Sequence, residues 1–319
     1  QLMVTGAGAG RVLDAAVTAN VSGLEEWRAR YGLVLTEEGG VIDDLFVYRR
    51  PDGYLVVPNA ANTDAVLSVL RSVAADTDRA SEVAIVDARG RSAILALQGR
   101  DARPIADALL PGANDLALHR FADMDLDGAT IQVARTGYTG EYGFELFVPA
   151  ADAEAVWNRL MAAGEPYGIL PIGLGARDTL RLEMGYPLHG HELSVDINPV
   201  EAAMSWAVDW TKPGFRGKAA AEKVRAEGPA RKLVGLAVEG AGIPRASQEI
   251  HTADPGGAAV GVVTSGNFSP SLKRGIALGF VAASVAAPGT MLTVDVRGKR
   301  VPVFVTRPPF VPRGRAAAS

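Results

Sequence analysis

The chain has 319 residues, 48% of them hydrophobic and 21% charged, which is enough for two or three globular domains with cores of their own. A net charge of −4 argues against a large cationic face, and so against nucleic acid as a partner. The absence of cysteine excludes disulfides, thiolate metal sites and a cysteine nucleophile, and it suits a reducing cytoplasm.

Leu2–Thr5 reads as a strand that Gln1 already enters, so an amino-terminal section is expected to be missing; no signal peptide is visible. Gly6-Ala7-Gly8-Ala9-Gly10 then leads into a helix over Gly10–Thr18. The arrangement imitates a dinucleotide-binding turn, but Trp27-Arg28-Ala29-Arg30 follows where a second strand ending in an acid is needed. A tight strand-to-helix turn is the expectation. Val41–Tyr48 and Tyr54–Pro58 form a strand pair around Pro51-Asp52-Gly53. Asn62–Ala74 follows as a helix, capped by Asn62 or Thr63, with Val66, Leu67 and Leu70 inward.

Ser92–Gln98 is a strand and Asp101–Leu110 a helix closed by Pro111-Gly112. Asp123–Gly128 resembles the first half of a calcium loop, yet Ala134 stands at the twelfth position, so a solvated turn between two strands is expected. Thr130–Arg135 and Phe144–Val148 are strands around a glycine-rich turn. Ala151–Ala163 is an amphipathic helix with Val156, Trp157 and Leu160 along one side and Gly164 at its end. Leu174–Met184 is a further helix, largely buried because Leu174, Leu180 and Leu182 spread around it. Its Arg177 and Arg181, one turn apart, then need structural or ligand partners.

Beyond about Lys223 the pattern changes to short strands at Leu233–Val238, Val260–Thr264, Ile276–Val281, Met291–Val296 and Val301–Thr306. A small antiparallel β-barrel or sandwich is the natural reading. The boundary falls at 226–230, giving regions 1–226 and 231–312. Ala277–Ala287, the most apolar stretch, is too short to span a bilayer, so no membrane association is expected. His189-Gly190-His191 has no companions at ligand spacing, and no metal is expected.

Two segments carry chemistry-bearing residues. Arg135-Thr136-Gly137-Tyr138-Thr139-Gly140-Glu141-Tyr142-Gly143-Phe144-Glu145 packs three glycines into a tight path and sets Glu145 at the start of an apolar strand, where an unpaired carboxylate is costly. It is either an exposed hairpin or a ligand loop with an aromatic face and a carboxylate anchor. In Gly39-Gly40-Val41-Ile42-Asp43-Asp44, neighbouring strand residues point to opposite faces, so at most one aspartate enters any one cavity.

These segments, with Val-Pro-Asn-Ala-Ala-Asn (57–62), Leu-Gln-Gly (97–99), Gly-Leu-Gly-Ala-Arg-Asp-Thr-Leu-Arg (173–181), Thr-Ser-Gly-Asn-Phe-Ser-Pro-Ser-Leu (264–272) and Pro-Pro-Phe-Val (308–311), resemble the T-protein family of glycine-cleavage aminomethyltransferases almost end to end. Tyr186–Glu192 is most similar to actinobacterial members. The resemblance implies an α+β, three-domain clover-leaf fold with a carboxyl-terminal antiparallel β-barrel. It implies transfer of the methylene carbon of an aminomethyl group, borne on the lipoyl arm of H-protein, to tetrahydrofolate, with release of ammonia.

By the same resemblance, Asp43 is the family's essential aspartate, accepting a proton from the attacking nitrogen or stabilising an iminium-like cation. Glu145 matches the pterin-binding glutamate and Arg177 an arginine that helps hold the folate. Tyr31, Asn59 and Tyr138 correspond to channel-lining positions, and Arg315 stands where some members use a tyrosine for folate. The amino-terminal strand and helix of the family are absent before Gln1. A folate-dependent demethylase, or the folate domain of a sarcosine-type oxidoreductase, remains an alternative. A non-enzymatic folate-binding protein of iron–sulfur assembly fits less well, since its cysteine motif is missing.

Overall fold

The computed structural model describes residues 1–76 and 82–313. Its fifteen described strands form three antiparallel sheets, two open and one closed. The first contains β1 (Leu2–Thr5), β2 (Arg28–Leu35), β3 (Val41–Arg50), β4 (Gly53–Val57) and β5 (Ala84–Asp87), in the order β2-β3-β4-β1-β5. Helices α1 (Ala9–Ala16) and α2 (Thr63–Ala75) cover one face. There Leu13, Val66, Leu67 and Leu70 pack on Leu2, Val4, Leu45, Val47 and Val56. Period-two alternation in the strands and helical spacing in α2 deliver these side chains to one layer. The expected strand-to-helix turn is present, and glycine is required in it. Gly6 has φ +100°, and a Cβ there would lie 2.0 Å from the carbonyl oxygen of Glu82.

The second sheet holds β6 (Ser92–Gln98), β7 (Phe121–Leu126), β8 (Ala129–Ala134) and β9 (Gly143–Pro149), ordered β6-β9-β8-β7. It is backed by α3 (Ala102–Leu109) and α4 (Ala153–Gly164). The uncovered faces of the two open sheets meet through Ala29, Tyr48, Leu55, Phe121, Ala134 and Phe147. The barrel closes in the order β10 (Arg231–Val238), β13 (Arg274–Ala282), β12 (Ala259–Ser269), β11 (Glu249–Thr252), β14 (Met291–Val296), β15 (Lys299–Thr306). Its interior is lined by valine, leucine and isoleucine, among them Leu236, Ile250, Leu292 and Val303. Helix α5 (Leu174–Glu183) rests on β12 and β13, and α6 (Lys218–Glu227) precedes the barrel. Among the described residues no helix is long and apolar enough to cross a membrane.

The long segment after α5 completes the first sheet. Leu193, Ile197, Met204, Val208 and Phe215 bury Leu33, Leu35 and Val41. Lys212, 6% exposed, places its ammonium against the carbonyls of Asp14, Val17 and Ala19 at 2.5, 2.6 and 2.9 Å. Burial pushes this lysine down to about 8, while the nearby Asp14 and Asp209 hold it up.

Several expectations are corrected. Arg28–Leu35 is a strand, although its first residues are polar. It pairs with β3 on one side and joins the second sheet on the other, through the Ala29 N–H bond to the His119 carbonyl. Asp123 and Asp125 lie on β7 rather than in a turn, which is confined to Asp127-Gly128. Asp123 pairs with Arg50 at 2.7 Å. Trp157 does not join Val156 and Leu160 in the core; its spacing turns it out, 42% exposed. The amino-terminal half of α5 is open, with Leu174 84% exposed, and only Arg181, Leu182 and Glu183 are buried. Neither Asn62 nor Thr63 caps α2 through its side chain.

Candidate active site

Strand β3 separates two environments. Asp43 shares a face with Leu45 and Val47, the face covered by α1 and α2. It is fully buried, and its carboxylate accepts hydrogen bonds from the Asn59 backbone N–H at 2.9 Å, Asn59 Nδ2 at 2.8 Å and Asn62 Nδ2 at 2.6 Å. The amide of Asn62, expected to cap α2, is spent here. Burial pushes the Asp43 carboxyl above its ordinary range, and the Asn62 and Asn59 donors hold it down.

Asp44 shares the opposite face with Phe46 and Tyr48, towards the second sheet. It is walled in by protein yet still reached by solvent. The Tyr31 hydroxyl donates to its Oδ2 at 2.8 Å and Asn59 Nδ2 approaches its Oδ1 at 3.0 Å. Burial again raises this carboxyl, opposed by the Tyr31 and Asn59 donors and by the charge of His189. Tyr31 is itself fixed by stacking on Trp206 (5.4 Å, 19°) and by an edge contact with Phe46 (5.4 Å). Burial and then Asp44 push the Tyr31 hydroxyl far up, so it stays a donor.

Opposite Asp44, the glycine-rich loop is held by Gln98 at the end of β6. Gln98 Nε2 bonds the Thr136 and Phe144 carbonyls at 3.2 and 3.0 Å, and its oxygen takes the Thr139 hydroxyl at 3.0 Å. Gly140, at φ +74°, abuts the Met184 side chain so closely that a Cβ would stand 2.0 Å from Sδ. The loop thus seats Tyr138 and Glu145. Glu145 is raised by burial and held down by the Thr136 hydroxyl, which donates to it, and by Arg177. The Tyr48 hydroxyl lies 3.3 Å from the same Thr136 oxygen. Tyr138 donates to the Pro187 carbonyl, stacks on Tyr186 (5.7 Å, 25°) and lies under the exposed Arg177 guanidinium at 4.8 Å.

Five of the expected site residues, Tyr31, Asn59, Tyr138, Glu145 and Arg177, therefore gather with Asp44 where the two open sheets and α5 come together. Asp43 does not face it: strand alternation turns its carboxylate into the α2 side, where three donors satisfy it. Arg315 lies outside the described residues. Arg181 departs from Arg177 and is a buried structural group. Sequence reading left Asp44, Asn62, Thr136, Tyr186, His189 and Trp206 without site roles. The two asparagines of the 57–62 motif were the available sign that a neighbouring acid is bound.

The comparisons with known proteins agree in extent. Residues 1–212 match the GCVT N-terminal domain, and residues 231–312 the glycine cleavage T-protein C-terminal barrel domain. An aminomethyltransferase of Frankia alni is 45% identical over 310 residues, covering 97% of this chain and 82% of the relative. One from Mycobacterium tuberculosis is 43% identical over 312 residues, with the same shares covered. The crystal structure of glycine cleavage system aminomethyltransferase T from Bartonella henselae superposes with a TM-score of 0.88 at 33% identity, covering 98% of this chain and 84% of that one.

Proposed function

Because the chain belongs to the glycine cleavage T-protein family of aminomethyltransferases, we propose that it moves the methylene carbon of an aminomethyl group on the lipoyl arm of H-protein to tetrahydrofolate. Ammonia, methylenetetrahydrofolate and dihydrolipoyl H-protein are the products. The observation that carries this reading is the gathering of Asp44 and Tyr31 from the first sheet, Asn59 from the turn after β4, Tyr138 from the loop before β9, Glu145 from β9 and Arg177 from α5.

Tetrahydrofolate, when bound, supplies the nitrogens that take up the carbon. The donor and acceptor set suits it. Glu145 offers two oxygens to an adjacent ring N–H and amino group. Tyr138 and Tyr186 present aromatic faces, and the exposed Arg177 meets a carbonyl or carboxylate oxygen. Asp44, kept above the ordinary carboxylate range by burial, is a better base than a solvated aspartate. As a carboxylate it also balances positive charge developing beside it. Tyr31 and Asn59 aim it. Asp43 keeps β3 and the start of α2 together and takes no direct part in transfer. In this reading 1–226 carries the folate site, and 231–312 is a barrel domain that buttresses α5 through Ser269 and Ser271, both bound to Glu183.

Incubation of the protein with aminomethyl-lipoyl H-protein and tetrahydrofolate is expected to release ammonia and methylenetetrahydrofolate in equal amounts. Absence of both products overturns the reading.

A further inference from the structure

The buried ion pair of Arg181 and Glu192 lies outside the reacting groups, yet it grips the chain next to one of them. Arg181 is 2% exposed and Glu192 0%. Arg181 Nη1 donates to Glu192 Oε2 at 3.2 Å and to the Tyr186 carbonyl at 3.2 Å. The same Glu192 oxygen accepts the Leu188 N–H at 2.9 Å. Residue 187 is therefore clamped from both sides, and its carbonyl is the one that receives the Tyr138 hydroxyl. The other ends of Arg181 bind Asp178 Oδ1 at 2.7 and 2.9 Å and the Ser265 hydroxyl of β12 at 2.8 Å. Helix α5, the 186–192 loop and the barrel thus meet at a single guanidinium.

Burying such a pair is expensive. The second Glu192 oxygen, Oε1, makes no hydrogen bond among the described residues, so Arg181 and the Leu188 N–H carry the cost of the charge. A hydrophobic pair would hold α5 to its neighbours at less expense, but it could not orient a peptide carbonyl.

We propose that Arg181 and Glu192 are positioning residues for the folate cleft, fixing the Pro187 carbonyl and through it the Tyr138 side chain. The inference rests on the placement of Tyr138 at the tetrahydrofolate site given above. Glu192→Gln keeps an acceptor for Leu188 but removes the charge that holds Arg181. With aminomethyl-lipoyl H-protein as donor, KM for tetrahydrofolate is expected to rise about five- to tenfold while kcat changes less than about twofold. Tyr138→Phe should act similarly, and the two effects should not multiply in the double variant, because both break one linkage. In the ligand-free protein, Glu192→Gln should also quicken amide exchange across residues 136–142.

KM effects that multiply, together with unchanged exchange, overturn the linkage. Faster exchange with KM unchanged in both single variants upholds the linkage and instead removes Tyr138 from the tetrahydrofolate site. If Glu192→Gln does not fold, Arg181→Lys serves in the same cycle. It retains the charge and loses the planar fork by which one guanidinium reaches Tyr186 and Glu192 through Nη1 while Nε and Nη2 hold Asp178 and Ser265, so the same non-multiplying pattern is expected.

Discussion

The two faces of β3 carry the same functional group one residue apart and treat it in opposite ways. On the helix side, Asp43 is sealed under α2 with three donors in place, and nothing further can approach its oxygens. On the side facing the second sheet, Asp44 has a tyrosine and an amide and still meets solvent. Helix α5 repeats the contrast with arginines: Arg181 is enclosed and fully bonded, whereas Arg177 is exposed over the Tyr138 ring and meets Glu145 by charge rather than by a hydrogen bond among the described residues. In both cases the residue that completes its bonds inside the protein holds the scaffold, and the one left incomplete is available to a ligand. Incomplete satisfaction within a cleft is the signature to look for.

Substitution at the two aspartates tests the contrast most strongly. Asp44→Asn should lower kcat by about two orders of magnitude or more, since the base is lost while tetrahydrofolate still binds. Full activity in that variant would return the role to Asp43. Asp43→Asn should instead appear in thermal or denaturant unfolding, at a cost of about 1–3 kcal/mol. An amide there turns donors toward the donors of Asn59 and Asn62. A variant as stable as the parent would show that the helix side is not the scaffold described here.

The smallest effect sharpens the comparison through pH. Burial holds the Asp44 carboxyl above 3.8, so kcat should fall as pH drops through that raised value, where the base becomes protonated. Asn59 is one of the donors opposing the rise. Asn59→Ala should therefore move the acid limb of the pH–kcat profile to higher pH, and a limb that stayed fixed or moved down would contradict the assignment.

Much of this was legible in the sequence. Short apolar runs bounded by turn signals marked β3, β4, β6 and most barrel strands, and glycine spacing marked the loop that seats Tyr138 and Glu145. Strand β2 was not legible. Its Arg28 and Arg30 occupy an otherwise apolar alternation, and it is stabilised by long-range pairing on both edges. The choice between Asp43 and Asp44 was half legible. A strand's period of two dictates opposite faces, but which face becomes the cleft depends on where α2 docks, and nothing local to residues 39–45 encodes that. Arg181 and Arg177 stood likewise undivided, because helical spacing does not tell which turn of α5 the barrel covers.

The lysine seated at the end of α1 has a consequence for how the molecule comes into being. Its three carbonyl partners precede it by 198, 195 and 193 residues, and the apolar residues that cover β2 and β3 arrive in the same late stretch. A ribosome delivers the second sheet with its two helices whole before the first sheet has its closing segment. At bacterial-to-eukaryotic elongation rates, Leu33, Leu35 and Val41 wait roughly 10 to 40 s for their cover. The first sheet is thus finished only after the second, which stands beside it as a preformed template, and the barrel that holds α5 follows later still.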